Sequence, residues 1–441
     1  MEDREHPTGL LPEAGRTYAP HEAVIEASRC LMCEDPPCNR GCPAGVDVRR
    51  FVRKIRFGNF RGATRLIRDA NPLVGVCGRV CPQEILCMEH CTRGELDTPI
   101  DIAGLQRFAG DIELGALAPL PGGIRERPER VAVVGAGPAG LAAAVALRLG
   151  GFQVEVFERE RVAGGVLALG VPPTRLSRAF LESELAYVTR LGVKVHLGDE
   201  QDDPASLLSK GFAAVFVAPG LWKARRVGIP GSDLQGVHVA MEFLKAVARG
   251  ERPAIGARVV VIGGGNVAMD AATTAKALGA ERVDLCCLES FDEMPAFRSE
   301  IEHAQAEGVE FRTRTRPVRV VGEGGRVAGY EGIGIRWKVP GLLVPSNAED
   351  VPGTEFGLRA DAVIEAIGQG PLDGFAGLAT DTRGLVAVDV EAMTTSVEGV
   401  FAGGDVTSGG ATVVQAVAEG KRAAAAIAKY LESRREKGGR R

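Results

Sequence analysis

The hydrophobic pattern divides the chain into a helical beginning and two longer stretches in which strands and helices alternate. Between Val48 and Ile55, apolar residues recur at the spacing of one helix face, and Gly58 separates this helix from a second one. Further along, apolar runs at residues 131–134 and 259–262 each predict a buried strand that leads into a glycine turn and a helix. The pattern therefore predicts an α-helical domain followed by two doubly wound α/β domains.

The first α/β stretch carries the glycine pattern of a dinucleotide-binding loop. Gly135, Gly137 and Gly140 form G-x-G-x-x-G directly after the predicted strand, and Glu158 ends the following strand. The first glycine permits a tight turn, the second lets the backbone approach a pyrophosphate, and the third lets the helix pack on the strand. An acid at the end of the second strand can bind the ribose hydroxyls. These features together predict a bound dinucleotide.

The second α/β stretch repeats this plan. Gly263, Gly265 and Ala268 stand at the fingerprint positions, Asn266 lies between the last two, and Glu289 ends the next strand. Two dinucleotides in adjacent domains imply hydride transfer between a nicotinamide and a flavin. A 2′-phosphate favours arginine at the end of this strand, whereas a free 2′-hydroxyl favours an acid. The acid found there therefore predicts NAD(H) rather than NADP(H).

A third glycine turn near the end of the chain is predicted to return to the flavin domain. Gly404 and Asp405 follow a short strand and precede a helix. The acid suits contact with a ribityl chain or a pyrophosphate, and a solvated turn acid is the alternative. The amino-terminal end of the helix, with Thr412 and Val413, would face the flavin ring and favour its anionic reduced form.

Composition and charge exclude several classes of protein. The chain has 441 residues and a net charge of −4, which fits about three domains and indicates neither a nucleic-acid nor a membrane partner. Residues 131–147 carry no charge but fall short of a membrane span of about 20 residues. Residues 1–20 do not resemble a signal peptide. Clustered thiols without an export signal predict a cytoplasmic protein.

Eight of the ten cysteines fall in two groups near the beginning of the chain. The first group comprises Cys30, Cys33, Cys38 and Cys42, and the second comprises Cys77, Cys81, Cys87 and Cys91. Such groups, each with a proline directly after one cysteine, are typical of loops around [4Fe–4S] clusters. Zinc is an alternative, although only one pair has the usual C-x2-C spacing. Disulfides would suit a secreted protein, which the first residues do not indicate.

A row of basic residues follows the first cysteine group. It comprises Arg49, Arg50, Arg53, Lys54, Arg56, Arg61, Arg65 and Arg68, opposite the apolar face of the two predicted helices. A solvated helix face is one interpretation. The alternatives are a docking surface and positive charge that raises the potential of anionic clusters.

Taken together, the motifs resemble one family over nearly the whole chain. Besides the cysteine runs, the motifs are PIDIAGLQRFAGD, VGAGPAGLAAA, GGVLALGVPPTRLS, GGGNVAMDAA, EMPAFRSE, AIGQ and AGGD-x7-TVVQAVAEGK. The chain is similar to the NAD(P)H-oxidising iron–sulfur flavoprotein subunits, such as those of bacterial glutamate synthase and dihydropyrimidine dehydrogenase. The resemblance implies that NAD(P)H reduces FAD, and that two [4Fe–4S] clusters pass electrons to an FMN-containing barrel subunit. It also implies a hetero-oligomer.

The resemblance further implies an interleaved set of cluster ligands. One cluster would use Cys30, Cys33, Cys38 and Cys91, and the other Cys42, Cys81, Cys87 and Gln106. The spacing alone suggests a simple split into the two sequence groups, in which Cys77 replaces Gln106. The stretch containing Gly165 and Leu167 would lie along the flavin ring. We name no catalytic side chain, because hydride passes directly between rings held in contact.

The predicted domains follow from these assignments, with the NAD domain inserted in the FAD domain. They are an iron–sulfur domain at 1–110, a linker at 111–129, FAD-domain parts at 130–252 and 367–432, an NAD(P)H domain at 253–366, and a polar tail at 433–441. The tail is predicted to be disordered.

The predicted function is an NADH-oxidising electron-transfer subunit whose partner reduces uracil or thymine. The alternative within the same class is the small subunit of an NADPH-dependent glutamate synthase. An alternative of another class is a zinc-stabilised docking domain on a flavin-dependent disulfide or quinone reductase.

Overall fold

The amino-terminal part of the computed structural model is helical. The structure describes residue 13 and residues 15–112, 118–371 and 377–438. The first α-helices are α1 (Pro20–Ser28), α2 (Pro37–Arg40), α3 (Val48–Arg56), α4 (Phe60–Ala70), α5 (Val74–Val80) and α6 (Ile102–Ile112). Cys38 lies within α2 and Cys77 within α5, and the other cysteines of the two sequence groups lie outside these helices.

The break between α3 and α4 is set by local sequence. The Asp47 side chain accepts the Arg50 N–H and caps α3, and the Asn59 side chain accepts the Gly62 N–H and caps α4. Between them, Gly58 has a φ of 70°, which most other residues avoid. The predicted pair of helices is therefore confirmed.

Arg68 is the exception to the predicted basic face. Its side chain is buried against α9, where it forms an ion pair with Glu184 at 3.1 Å. The prediction that placed Arg68 on the exposed face is wrong, since periodicity within one helix does not show what a distant element brings against it.

The first α/β segment follows at Arg130. Its elements are β1 (Arg130–Val134), α7 (Pro138–Leu149), β2 (Gln153–Glu158), α8 (Val166–Leu169), α9 (Arg178–Arg190), β3 (Lys194–Leu197), α10 (Ser206–Ser209) and β4 (Ala214–Val217).

The inserted segment comes next. It consists of β5 (Lys223–Ala224), β6 (Val237–Val239), α11 (Ala240–Ala248), β7 (Arg258–Ile262), α12 (Asn266–Ala277), β8 (Arg282–Cys286), α13 (Arg298–Ala306), β9 (Val309–Arg312), β10 (Thr315–Glu323), β11 (Arg326–Trp337), β12 (Ala348–Asp350), β13 (Phe356–Arg359), β14 (Ala362–Glu365) and β15 (Gln369–Gly370). The last segment contains β16 (Val400–Ala402), α14 (Asp405–Ser408) and α15 (Val413–Gly438).

Each nucleotide fold is built on a five-stranded parallel sheet. The first sheet has the order β16-β4-β1-β2-β3, so the chain returns to it after the insertion. The second sheet has the order β6-β14-β7-β8-β9. Helix α7 packs on the first sheet and α12 on the second, and both sheets are apolar on both faces. The predicted fold class is confirmed.

The described residues form two compact units. One comprises residues 169–174 and 222–370, and the other comprises the thiol-bearing helices together with the first sheet and its helices. The inserted unit begins earlier than the boundary that we predicted at residue 253, because β6 hydrogen-bonds to β14 in the second sheet. Its antiparallel strands β10–β13 were not predicted individually.

Two further expectations concern single segments. The tail at 433–441 was predicted to be disordered, but residues 433–438 continue α15, with Arg434 bound to the Tyr430 hydroxyl at 3.1 Å and Arg435 paired with Glu129 at 3.6 Å. Residues 439–441 lie outside the described part of the chain. A helix already held by its buried half extends readily through Arg, Glu and Lys. Among the described residues, no helix combines the length and apolar character of a membrane span.

Candidate functional site

The first glycine loop, between β1 and α7, has the shape of a phosphate cradle. Gly135 has a φ of 102°, and a Cβ there would overlap the Ala218 carbonyl oxygen. A Cβ on Gly140 would overlap the Gly135 carbonyl oxygen, so only glycine lets the helix sit so close to the turn. A Cβ on Gly137 would meet nothing within 4 Å. The open space therefore lies at the second glycine, before the amino terminus of α7, where a pyrophosphate would fit.

Glu158 holds this loop from the end of β2. Its carboxylate accepts the Ala136 N–H at 2.8 Å and the Glu160 N–H at 2.9 Å. The side chain is 7% exposed, and burial raises its pKa. The structure thus gives this acid a role in shaping the loop, and its predicted contact with a ribose stays a prediction.

The residues predicted to lie along the flavin ring differ in their surroundings. Gly165 has a φ of 57°, and a Cβ on it would lie 2.9 Å from the Gly137 Cα, so it belongs to the first glycine loop. The Leu167 side chain is 1% exposed. Leu167 therefore contributes its side chain to the interior, and any contact with a ligand would come from its backbone.

The third glycine turn is held by an acid, Glu419, that the sequence pattern did not indicate. The Gly404 N–H donates to the Glu419 carboxylate at 2.6 Å, and Gly404 has a φ of 80°. The Asp405 carboxylate accepts the Ala411 N–H at 3.2 Å, and burial raises its pKa, with a further contribution from the charge of Glu419. Glu419 lies in the second turn of α15, and only its position on the inward face of the helix could have indicated its role.

The predicted contacts at the start of α15 are partly satisfied within the protein. The Thr412 hydroxyl donates to the Gln415 side chain at 2.9 Å, and the Gln415 N–H donates back to that hydroxyl at 3.3 Å. Val413 is the first residue of α15 and leaves its amide at the free end of the helix. This end can face an anionic group.

Helix α15 also joins the first nucleotide fold to the thiol-bearing helices. A Cβ on Gly420 would overlap the Ala139 carbonyl oxygen in the first turn of α7. The next residue, Lys421, donates to the carbonyl oxygens of Ala44 at 2.7 Å and Ala70 at 2.6 Å. Ala44 lies two residues after Cys42. One helix therefore contacts both the phosphate cradle and a cysteine loop.

A second contact joins the same two parts. Glu184 on α9 accepts the N–H groups of Gly75 at 3.1 Å and Val76 at 3.3 Å, and it pairs with Arg68. Both charged side chains are buried, at 5% and 9% exposure. Removing one partner of such a pair leaves an uncompensated buried charge, at a cost of about 3–5 kcal/mol. These contacts fix the thiol-bearing helices on the first nucleotide fold.

The thiols near Cys30 form one neighbourhood that draws on both sequence groups. Burial raises the pKa of Cys38 to about 12, and the charges of Cys91, Cys30 and Cys33 raise it further. Burial also raises the pKa of Cys30, to which Cys91 and Cys33 contribute. Cys91 is the distant member in the sequence, and its sulfur accepts the Ile100 N–H at 3.4 Å. We call Cys30, Cys33, Cys38 and Cys91 the first thiol set.

The remaining thiols form a second neighbourhood. The Cys81 thiol donates a hydrogen bond to Cys77, and this bond raises the pKa of Cys81, as do burial and the charges of Cys77, Cys87 and Cys42. Burial raises the pKa of Cys42, and the charge of Cys77 contributes. We call Cys42, Cys77, Cys81 and Cys87 the second thiol set.

Gln106, the predicted alternative to Cys77, lies on the neighbouring helix. Its amide donates to the Val74 carbonyl at 2.8 Å, and a Cβ on Gly78 would lie 2.9 Å from its carbonyl carbon. The structure therefore places Cys77 and Gln106 on the two facing helices α5 and α6, and the choice between them as a ligand stays a prediction.

The chemistry of these thiols fits a metal cluster. All eight are free, and the charges of neighbouring cysteines add to the burial that raises the pKa of Cys38 in the first set and of Cys81 in the second. A positively charged inorganic core removes that repulsion and holds the thiolates deprotonated. In the part of the chain that the structure describes, no three Cys, His, Asp or Glu side chains are arranged as they stand to hold a metal ion.

The second glycine loop lies in the inserted unit, between β7 and α12. Gly263 has a φ of 138°, and a Cβ there would overlap the Ala366 carbonyl oxygen, whereas a Cβ on Gly265 would meet nothing within 4 Å. Ala268 is fully buried, and the Asn266 side chain accepts the Phe297 N–H at 2.8 Å. The loop repeats the geometry of the first one, and Asn266 fixes a neighbouring segment.

Glu289 reaches the second glycine loop from beyond the end of β8. Its carboxylate oxygen lies 2.9 Å from the position that a Cβ on Gly264 would take. The fold also brings Arg314 to this edge, where its N–H donates to the Glu289 carbonyl at 3.1 Å. The Arg314 guanidinium pairs with Glu293 at 2.8 Å. The sequence pattern did not indicate this arginine, because β9 and β10 bring it to the edge of the glycine loop from a distant part of the chain.

Cys286 and Cys287 belong to the interior. Burial raises the pKa of each thiol to about 12, and the two side chains lie on opposite faces of the second sheet.

Replacing Lys421 by methionine is expected to destabilise the chain by about 1–3 kcal/mol, because two carbonyl groups lose their donor while the aliphatic stem is kept. Chemical denaturation of the cofactor-loaded protein measures this. Lys429→Met, at an exposed lysine on the same helix, is the matched control. Equal midpoints for the two variants would show that the contact of Lys421 adds no stability.

Two family descriptions match the chain. Residues 10–116 match dihydropyrimidine dehydrogenase domain II, 4Fe-4S cluster, and residues 129–420 match pyridine nucleotide-disulphide oxidoreductase. The first region contains both thiol sets, and the second contains both glycine loops.

Curated relatives match nearly the whole chain. The NAD-dependent dihydropyrimidine dehydrogenase subunit PreT of Escherichia coli O157:H7 is 38% identical over 96% of this chain and 97% of the relative. The glutamate synthase [NADPH] small chain of Halomonas elongata is 35% identical over 94% of this chain and 92% of the relative. The NADP(+)-dependent formate dehydrogenase subunit beta of Moorella thermoacetica is 37% identical over 95% of this chain, which spans 62% of that relative.

A solved structure supports the fold. Mycobacterium tuberculosis FprA in complex with NADPH has a TM-score of 0.59 and 19% identity, covering 71% of this chain and 86% of that protein. The two matching families support FAD, NAD(P)H and [4Fe–4S] clusters as the cofactors. With its thiol sets and its two glycine loops in one chain, the protein belongs to the family of iron–sulfur NAD(P)H oxidoreductase subunits that includes PreT and the glutamate synthase small chain.

Proposed function

We propose that the chain is the NADH-oxidising electron-input subunit of a larger enzyme and delivers electrons to an FMN-containing barrel subunit. The observation that carries this proposal is the double contact of α15. Gly420 packs against the first turn of α7, while Lys421 holds the loop that follows Cys42. A helix that contacts both the phosphate cradle and the loop after Cys42 keeps the proposed flavin site and the second thiol set at a fixed separation.

The proposed roles of the site residues follow from their positions. When bound, FAD and the [4Fe–4S] clusters would supply a two-electron and a one-electron redox centre, respectively. Gly137 and Gly265 leave room for the two pyrophosphates, and Glu158 and Glu419 hold the loops beside the first of them. We propose the first thiol set as the ligands of one cluster. For the other we propose Cys42, Cys81 and Cys87 with Gln106, and Cys77 as the alternative fourth ligand.

The choice of NADH is supported by the charges around the second glycine loop. Glu289 lies over the loop, where it would accept a ribose hydroxyl and repel a 2′-phosphate. Arg314 is the arginine brought to this edge, and Glu293 already pairs with it. The arrangement therefore favours a free 2′-hydroxyl.

Glu289→Ala is expected to lower kcat/KM for NADH by about 10–100-fold, because a hydrogen bond to a charged group contributes about 1.5–3 kcal/mol. The value for NADPH is expected to stay the same or to rise. Steady-state reduction of ferricyanide with each nucleotide measures both values. Glu310→Ala, at an exposed acid on β9, is the control. An equal loss with both nucleotides would contradict the proposed ribose contact.

The proposed final substrate is uracil or thymine. Its support is the similarity to PreT along nearly the whole of both chains, together with Gln106 beside α5. Glutamate formation is the second candidate, because the glutamate synthase small chain is similar over almost the same length. The cytoplasmic location is proposed from the clustered free thiols.

The experiment that tests this proposal is purification of the tagged chain with its partner from the source cell. The complex is then supplied with NADH and either uracil or a mixture of 2-oxoglutarate and glutamine. We expect an FMN-containing partner and NADH oxidation that depends on uracil. Oxidation that depends only on 2-oxoglutarate and glutamine would replace the first candidate by the second. Zinc in place of iron in the purified chain would favour the docking-domain alternative.

A further inference from the structure

Helices α3 and α4 carry charge of almost one sign. From residue 48 to residue 70 the chain has eight arginines and lysines and one acid, Asp69. The net charge of the whole chain is −4, so this surface contrasts with the rest of the molecule. Arg50 is exposed and pairs with Asp47 at 3.8 Å. We call the other exposed arginines, Arg53, Arg56, Arg61 and Arg65, together with the exposed Phe57, the basic face.

The basic face lacks the acidic partners that other surface arginines have. Arg319 pairs with Glu331 at 2.7 Å and Arg336 with Glu349 at 2.8 Å. Within the described ranges, no carboxylate lies at ion-pair distance from Arg53, Arg61 or Arg65. A protein surface that is only solvated usually intersperses both signs, and an uncompensated patch attracts an acidic partner.

Helix α3, which carries Arg53 and Arg56, borders the first thiol set. The Arg49 guanidinium on the same helix donates to the carbonyl oxygens of Cys33 at 2.9 Å and Glu34 at 3.2 Å. A protein that binds the basic face would therefore lie close to the loop that holds Cys33.

An exposed aromatic ring lies within the basic face. Phe57 is 70% exposed, and the Arg56 guanidinium lies 5.8 Å from the centre of its ring. Aromatic and arginine side chains are enriched at protein–protein interfaces, where they contribute most of the binding energy. A large exposed apolar side chain beside an arginine of the basic face fits a docking surface better than a solvated helix.

We propose that the basic face binds an electron-accepting protein through an acidic surface, so that the acceptor docks beside the first thiol set. This inference rests on the proposed function and adds the place and the charge of the partner. One NADH gives two electrons and releases one proton, and the acceptor takes the two electrons one at a time, either both on one FMN or one on each of two one-electron acceptor molecules. Arg53 and Arg56 would guide the acceptor into position, and Phe57 would anchor it.

The test uses the full chain with its cofactors and three acceptors. Flavodoxin is an acidic FMN protein, cytochrome c is a basic haem protein, and ferricyanide is a small ion. We expect NADH-driven reduction of flavodoxin to slow as salt is added, because salt screens the attraction. In the double variant Arg53→Glu/Arg56→Glu, kcat/KM for flavodoxin should fall by about tenfold or more, and the salt dependence should flatten or reverse.

The controls separate docking from folding and from the proposed function. Lys210→Glu/Lys429→Glu changes the net charge equally at exposed lysines elsewhere and should leave flavodoxin reduction unchanged. Phe57→Ser should weaken flavodoxin reduction without changing its salt dependence. Iron content, flavin content and the rate of flavin bleaching by NADH should be the same in all variants. If the charge-reversed variant has an altered cofactor content, the milder variant Arg53→Gln/Arg56→Gln replaces it. That variant must then show the lower kcat/KM for flavodoxin.

Three outcomes would overturn the inference. The first is an unchanged kcat/KM and salt dependence for flavodoxin in the charge-reversed variant. The second is a wild-type chain that reduces cytochrome c but not flavodoxin at low salt. The third is an equal loss in the control variant. Failure of NADH to bleach the flavin would instead refute the proposed function itself, and the inference would fall with it.

Discussion

Replacing Cys91 by serine is expected to remove the same cluster as replacing Cys30, whereas replacing Cys42 removes the other one. The physical reason is that Cys30, Cys33, Cys38 and Cys91 share one neighbourhood although Cys91 is distant in the sequence. Electron paramagnetic resonance of the reduced variants measures which signal is lost. Iron analysis should show a fall from about eight to about four atoms per chain in each case.

The control for this experiment is Cys287→Ala, at a buried thiol of the inserted unit. It should keep both signals, because a buried free cysteine behaves as a small apolar residue. Loss of the same signal in the Cys30 and Cys42 variants, with the other signal lost in the Cys91 variant, would mean that each sequence group binds its own cluster. A Cys77→Ser variant that keeps both signals would favour Gln106 as the fourth ligand of the second cluster.

Gly420→Ala is expected to destabilise the chain and to lower its flavin content. In an isolated helix this change would be favourable by about 1 kcal/mol. Here a Cβ would overlap the Ala139 carbonyl oxygen, so α15 must move away from the first turn of α7. Such overpacking costs about 1–3 kcal/mol and displaces the helix end that faces the phosphates. Thermal unfolding and the flavin-to-protein absorbance ratio measure the two effects.

Gly122→Ala is the matched control, because a Cβ at Gly122 would meet nothing within 4 Å. It should leave both the melting temperature and the flavin content unchanged. A Gly420→Ala variant that melts at the wild-type temperature with a full complement of flavin would contradict the close packing of α15 on α7. The proposed link between the phosphate cradle and the thiol-bearing helices would then lose its support.

The features that the sequence predicted well depend on neighbours along the chain. Gly135, Gly140 and Gly263 are required by turns and close contacts within a single strand–turn–helix unit, so their spacing was sufficient. The pair of helices interrupted at Gly58 was predicted for the same reason. Local geometry of this kind is encoded within about 30 residues.

The features that the sequence did not predict depend on contacts between distant segments. Lys421 binds the carbonyl of Ala44, 377 residues away, and Glu184 binds Arg68, 116 residues away. Glu419 reaches Gly404 from the interior of a helix whose amphipathic pattern alone gives it no special role. No spacing rule connects such pairs, since the tertiary packing that joins them is not periodic.

The cysteines were predicted only in part. Their spacing predicted loops that bind metal clusters, but it also allowed two ways of dividing them. Burial raises the pKa of Cys38 and the charge of Cys91 adds to it, and the Cys33 sulfur lies 3.7 Å from the hydroxyl of Thr92, the residue after Cys91. These observations support the interleaved division, which the sequence could offer only through a family resemblance.

The central claim is that electrons from a nicotinamide nucleotide pass through the flavin to iron within this one chain. Anaerobic titration of the purified protein with NADH, followed by optical and electron paramagnetic resonance spectra, tests it most directly. The account predicts that the flavin absorbance bleaches and that signals of reduced clusters then rise. A flavin that stays oxidised in excess NADH, or one that bleaches while no cluster signal develops, would contradict it.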